Sequence, residues 1–165
     1  AFWEASEREP SRAILIEKQI RLHYPDFVLM GRLDRLDEHP DGTLEVIDYK
    51  SGLEDVTEDG VRDSLAMVCY SLLVEKQYPG RRVMASIVSL PACAKATVEF
   101  RREELDVFEE LAQTVAQQMQ GREEFLPDYA PHCESCIYNR RCYKGGAVDW
   151  EEKRRLFDQT QEGAW

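Results

Sequence analysis

The five residues His39-Pro40-Asp41-Gly42-Thr43 constrain this chain more than any others. Pro40 presets φ for the first turn position, Asp41 suits the second, and Gly42 takes the left-handed conformation that follows. A type I turn closed by such a glycine makes a three-residue hairpin loop with a bulge. It lies between two runs with strand periodicity, "FVLMGRLDRLD" (27–37) and "TLEVIDYK" (43–50). His39 then faces Thr43, and that register sets Asp34 directly across from Asp48 and Arg32 across from Lys50. Side chains alternate along a strand, so Asp48 and Lys50 share a face, as do Arg32 and Asp34.

Like charges directly opposite one another destabilise a strand pair. Two readings answer the paired acids. A hard divalent cation between the carboxylates removes the repulsion; alternatively, Arg32 and Lys50 neutralise them on a solvated face. Arg35 and Asp37 read as a salt-bridged pair on the opposite face.

Upstream, "RAILIEKQIRLHY" alternates and predicts a strand with Ile14, Ile16, Ile20 and Leu22 on one face. Downstream, "VRDSLAMVCYSLLVEKQY" (61–78) places Val61, Leu65, Val68 and Leu72 at helical spacing, and Pro79-Gly80 stops that helix. "RVMASIVSL" and "ATVEFR" read as strands around a turn at Pro91. "REELDVFEELAQTVAQQMQ" predicts an amphipathic helix whose inner stripe is Leu105, Phe108, Leu111, Val115 and Met119. A short charged helix is expected near "WEEKRRLF". A meander leading through a crossover helix into another strand gives a mixed sheet flanked by helices, of α/β (α+β) class.

The length of 165 residues suits one domain over 1–165. No apolar run reaches the ~18 residues a membrane helix needs, so the expectation is a soluble, cytoplasmic protein with no membrane partner. The net charge of −11 argues against simple coating of nucleic acid, which selects basic surfaces. It leaves room for a metal enzyme, since ligating acids add to the count.

The blocks Gly31-x-Leu33-Asp34-Arg35 and Val46-Ile47-Asp48-Tyr49-Lys50-Ser51-Gly52 resemble the RecB-like branch of the PD-(D/E)XK nucleases. The resemblance spans about 17–70 and resumes at the cysteines. It implies a restriction-endonuclease-like fold and hydrolysis of DNA phosphodiesters with Mg²⁺ or Mn²⁺. Asp34 and Asp48 would hold the metal, with the Tyr49 carbonyl as a further ligand and Lys50 as the catalytic cation. It further implies exonuclease work in DNA repair or recombination, beside a helicase subunit or domain. The alternative is a nuclease-fold module that binds DNA or scaffolds a complex without cutting. Tyr70 stands where the family's Gln-x-x-x-Tyr motif has its tyrosine, and Arg32 is a second expected substrate contact. Ala66 stands where the motif has Gln. The family's upstream helix bearing His or Glu has no recognisable counterpart, and the chain opens on Ala1, so the expectation is either an N-terminal helix lost by truncation or an incomplete active site.

Of five cysteines, three form Cys133-x2-Cys136-x5-Cys142 within a segment at 130–146. A tight C-x2-C turn aims two sulfurs at one ion. The same spacing in AddB-type subunits and CRISPR adaptation nucleases implies a 4Fe–4S cluster in the full-length protein. Such a cluster takes four thiolates, so with three this chain is expected to hold it poorly or not at all and to be zinc-bound or metal-free there. No cysteine precedes Cys69, so zinc is the alternative, although His132 adjoins Cys133 too closely to chelate the same ion. Cys69 and Cys93 read as ordinary buried or loop cysteines.

Overall fold

The structure is a computed structural model that describes residues 11–52, 55–122, 133 and 135–138. The chain divides into two compact units, Ala1–Met119 and Gln120–Trp165. Eight elements are described: β1 (Arg12–His23), β2 (Val28–Glu38), β3 (Leu44–Lys50), α1 (Glu58–Arg62), α2 (Leu65–Gln77), β4 (Val83–Ser89), β5 (Ala94–Glu99) and α3 (Arg102–Gln120). The strands form one sheet in the order β1-β2-β3-β4-β5. β3 and β4 run parallel, joined through α1 and α2, and every other neighbouring pair is antiparallel. This is the mixed sheet with flanking helices that the order of elements predicts.

The turn forms as its residues dictate. Gly42 has φ +87°, its N–H donates to the His39 carbonyl, and the His39 N–H donates to the Thr43 carbonyl, both at 2.9 Å. Asp41 Oδ1 accepts from the Thr43 N–H at 2.8 Å, which locks the loop from its own side chain. The helix expected over 61–78 is two helices. Thr57 caps α1, accepting from the Gly60 N–H, and Ser64 caps α2, accepting from the Met67 N–H. A hydroxyl competing for backbone donors favours a cap over a helix interior, so Ser64 starts a new helix.

Met67, Leu72, Leu73 and Val74 of α2 join Leu33, Leu36, Leu44, Val46 and Ala85 of the sheet in the core. Val61 of α1 completes this side. The expected apolar face of β1 is broken. A bulge lies between Ala13 and Leu15, Glu17 has φ +49°, and Ile16 is 67% exposed while Ile20 is buried. In β2 the alternation also slips, because Gly31 and Leu33 are buried and the next buried apolar residue is Leu36. Asp34 sits within that slip.

A facing acid pair absent from the sequence reading lies elsewhere in the hairpin. Asp37 pairs with Glu45, and the two are 1% and 2% exposed. Arg35 grips Asp37 with Nε and Nη2 at 2.5 and 2.7 Å, as expected of that pair, and Ser11 Oγ donates at 2.6 Å. Glu45 is held by Lys95 Nζ at 2.5 Å, by His39 Nε2 at 2.8 Å and by Ser86 Oγ. Burial pushes the Glu45 carboxyl up, and the hydrogen bonds from Lys95 and Ser86 outweigh it, so its pKa is lowered. Asp37 is lowered likewise, against burial, by Arg35 and Ser11.

The helix α3 forms over the predicted residues but not with the predicted packing. Leu105 is its only buried residue among those described, while Leu111, Val115 and Met119 are exposed. No helix among the described residues is long and apolar enough to cross a membrane.

Candidate active site at the open end of the hairpin

The β2–β3 rungs run from Glu38–Leu44 to Arg35–Ile47, in the register that the turn predicts. One step further would pair Asp34 with Asp48. There the ladder stops, and Asp34 Oδ2 accepts a hydrogen bond from the backbone N–H of Tyr49 at 2.9 Å. The carboxylate thus takes the place of a main-chain acceptor and is drawn into the cleft between the strands. Its other oxygen stays outside that bond.

Asp48 is 7% exposed. Its Oδ2 lies 2.8 Å from Lys50 Nζ and makes no hydrogen bond of regular geometry. Burying a carboxylate is costly unless a partner offsets it, and Lys50, itself half exposed, supplies that partner. Asp48 holds the Lys50 ammonium above its ordinary pKa against the opposing effect of burial, and Asp34 adds to the rise. Lys50 therefore carries a full charge at neutral pH.

Tyr70 closes the site from α2. Burial raises its phenol pKa first, and the charges of Asp48 and Asp34 raise it further, which puts a neutral hydroxyl-bearing ring beside both acids. The ring lies against Gly31: a Cβ there would come within 2.6 and 2.7 Å of Tyr70 Cε1 and Cδ1. Gly31 is a glycine because the ring occupies the space of a side chain.

Next to Tyr70 an open apolar groove of about 860 Å³ runs between β2, α2 and α3, with Met30, Leu65, Ala66, Cys69 and Leu111 among its walls. Ala66 thus gives the groove a methyl where a glutamine would have brought a polar group. Arg32 borders the groove but does not face Lys50. It pairs with Gln19 on β1, and its Nη2 lies 2.9 Å from Glu17 Oε2. The ladder ends before that rung, so the alternative in which Arg32 helps to neutralise the acids does not hold.

The structure therefore brings Asp34, Asp48, Tyr49, Lys50 and Tyr70 together and turns Arg32 aside. Cys133 and Cys136 belong to the second unit, where the Cys136 N–H donates to the Cys133 carbonyl at 3.3 Å. That is the tight turn expected of C-x2-C, and neither thiol is in a disulfide. Cys142, His132 and the segment near "WEEKRRLF" lie outside the described residues. Cys69 is half-buried, with its thiol pKa raised by burial, and Cys93 is exposed.

A hard divalent cation suits the donors present. Carboxylate oxygens are the ligands that Mg²⁺ and Mn²⁺ select, and Asp48 offers a buried oxygen beside the half-exposed Lys50 ammonium. No group of three or more His, Cys, Asp or Glu side chains gathers among the described residues. Two carboxylates with a backbone carbonyl leave positions for water and substrate, as magnesium sites commonly do.

The hairpin and its acids were legible in the sequence. Glu17 carried no signal there, because nothing in "LIEKQ" announces a left-handed backbone inside a strand.

No curated protein matches the chain. Among solved structures it is similar to that of SSO0001, at 15% identity, covering 85% of this chain and 65% of that one, with a TM-score of 0.43. The chain thus spans less than two thirds of that protein's length. The family profile of the PD-(D/E)XK nuclease superfamily matches residues 1–143, the stretch that holds the hairpin, both acids and the lysine. On that match the chain belongs to the PD-(D/E)XK nuclease superfamily.

Proposed function

We propose that this chain is a metal-dependent deoxyribonuclease, an exonuclease of the RecB-like branch that works in DNA repair or recombination with a helicase subunit or domain. The observation that carries the reading is the convergence of Asp34, Asp48 and Lys50 where the β2–β3 ladder opens. Asp34 and Asp48 would hold Mg²⁺ or Mn²⁺, with the Tyr49 carbonyl beside them. When bound, the metal supplies a water of lowered pKa and neutralises charge on the scissile phosphate.

The chain's own residues do the rest. The Tyr49 N–H fixes the Asp34 carboxylate, so the site is organised before substrate arrives. Lys50 is charged and half exposed, which suits it to a phosphate oxygen as negative charge develops there. Its tether to Asp48 keeps it within reach. Tyr70 offers a hydroxyl at the mouth of the groove.

Ala66 favours a second reading, a nuclease-fold module that binds DNA or scaffolds a complex without cutting. It removes a polar group from the wall beside Tyr70. Incubation with single- and double-stranded DNA in Mn²⁺ and in EDTA separates the two. Cleavage in Mn²⁺ that EDTA and Asp48→Asn both abolish supports the enzyme, whereas binding without cleavage supports the module. For the cysteines, a 4Fe–4S cluster or zinc at Cys133, Cys136 and Cys142 is the corresponding proposal.

A further inference from the structure

We propose that Arg32 is a phosphate-binding residue for the substrate strand and that Glu17 occupies it as an internal stand-in for that phosphate. The inference rests on the nuclease reading of the neighbouring acids. Glu17 is not glycine, yet it has φ +49° in the middle of a twelve-residue strand. Such a conformation costs more than an exposed ion pair returns, and the Glu17–Arg32 pair is more than half exposed at both ends. The pair therefore does not explain the strain as a stabilising device.

Position does. The rungs Ile16–Arg35 and Lys18–Leu33 flank Glu17, so it stands level with Asp34, at the point where β2 slips. The left-handed backbone redirects its carboxylate to Arg32, which lies two residues before Asp34 on the same strand. Positions two apart in a strand are separated by about 6.6 Å, so a backbone held at Asp34 brings a neighbouring phosphate within reach of Arg32. A guanidinium accepts carboxylate and phosphate oxygens with the same planar fork. Glu17 occupies one arm of that fork in the free protein, through Nη2 at 2.9 Å, and the incoming phosphate displaces it.

The consequence is selectivity. A chain with net charge −11 repels a polyanion, and a capped Arg32 adds no pull at a distance. Only a strand already engaged beside the acids competes with Glu17 for the guanidinium. Glu17 is thus a positioning residue that acts through Arg32.

The test is fluorescence anisotropy of the full chain with labelled single- and double-stranded oligonucleotides in EDTA, over a series of salt concentrations. Glu17→Gln should bind about two- to fivefold tighter, the factor an exposed ion pair is worth. Its log–log salt slope should match the parent's, because the phosphate meets Arg32 in both complexes, whereas Arg32→Gln should flatten it by roughly 0.7–0.9, the increment for one phosphate contact. Arg32→Gln should weaken binding and erase the effect of Glu17→Gln in the double variant. Glu103→Gln makes the same charge change on the exposed surface of α3 and should leave the affinity alone. Glu17→Gly suits the left-handed backbone, so it should bind like Glu17→Gln while raising Tm, which separates binding from folding. A Glu17→Gln protein that matches Glu103→Gln, or keeps its gain without Arg32, overturns the proposal alone. No binding by any variant overturns the proposal and leaves the nuclease reading to the Mn²⁺ cleavage assay.

Discussion

The Asp34 carboxylate is bonded to the backbone N–H of Tyr49 at 2.9 Å, across the gap where the β2–β3 ladder ends. A side chain thus completes a main-chain rung, and the acid is tied to the strand that carries Asp48 and Lys50. Positioning of the site and integrity of the sheet meet in this one bond.

Asp34 should accordingly fail in two separable ways. Asp34→Asn keeps an oxygen for the Tyr49 N–H and loses the charge. It should retain stability to within about 0.5 kcal/mol and lose metal-dependent cleavage. Asp34→Ala also strands the Tyr49 N–H and should cost about 1–2 kcal/mol more. Urea denaturation beside a Mn²⁺ cleavage assay checks both. Equal stabilities would show that the bond contributes nothing to the fold.

Asp48→Asn should abolish cleavage and leave stability within about 1 kcal/mol of the parent protein. The variant loses the ion pair with half-exposed Lys50, but it also removes a nearly buried charge and its repulsion with Asp34. Full nuclease activity in this variant would remove Asp48 from the mechanism.

At Gly31 the expected effect is steric. A methyl group there meets the Tyr70 ring at 2.6 Å and Leu73 Cδ1 at 3.1 Å, so Gly31→Ala should cost about 1–3 kcal/mol as the ring is displaced. Pairing it with Tyr70→Ala vacates the space and should recover most of that loss relative to Tyr70→Ala alone. A thermal-melting double-mutant cycle reads the coupling, and strictly additive losses would contradict the contact.

Acid should weaken the face of the sheet that carries Asp37 and Glu45. The folded-state pKa values of Asp37 and Glu45 are lowered, so their contribution is complete above the unfolded carboxylate value of about 4. It declines as pH falls below that value and through the depressed folded values. Arg35→Ala leaves Asp37, 1% exposed, without its cation, and should cost about 3–5 kcal/mol at pH 7. Because an unpaired carboxylate regains its proton more readily, that penalty should shrink below pH 4. Denaturant titrations at pH 7 and pH 3.5 test the sign.

Local chemistry determined the hairpin. Pro40, Asp41 and Gly42 fix their own backbone angles, and a turn fixes the register of the strands it joins, so Asp34 and Asp48 were placed from sequence. The Arg35–Asp37 pair was legible for the same reason, since its partners lie two residues apart on one strand. The order of strands and helices likewise determined the mixed sheet.

Tertiary structure decided what depends on partners remote in sequence. Whether facing acids are neutralised is one such question. Asp37–Glu45 recruits Lys95 and Ser86 from β5 and β4, while Asp34 and Asp48 are left to a backbone N–H and a tethered lysine. The exposure of Leu111, Val115 and Met119 is another, because periodicity shows that a helix has an apolar stripe but not whether anything covers it. The strain at Glu17 is a third. A residue's preferred φ is local, and the force that overrides it comes from pairing with β2, the one strand beside it.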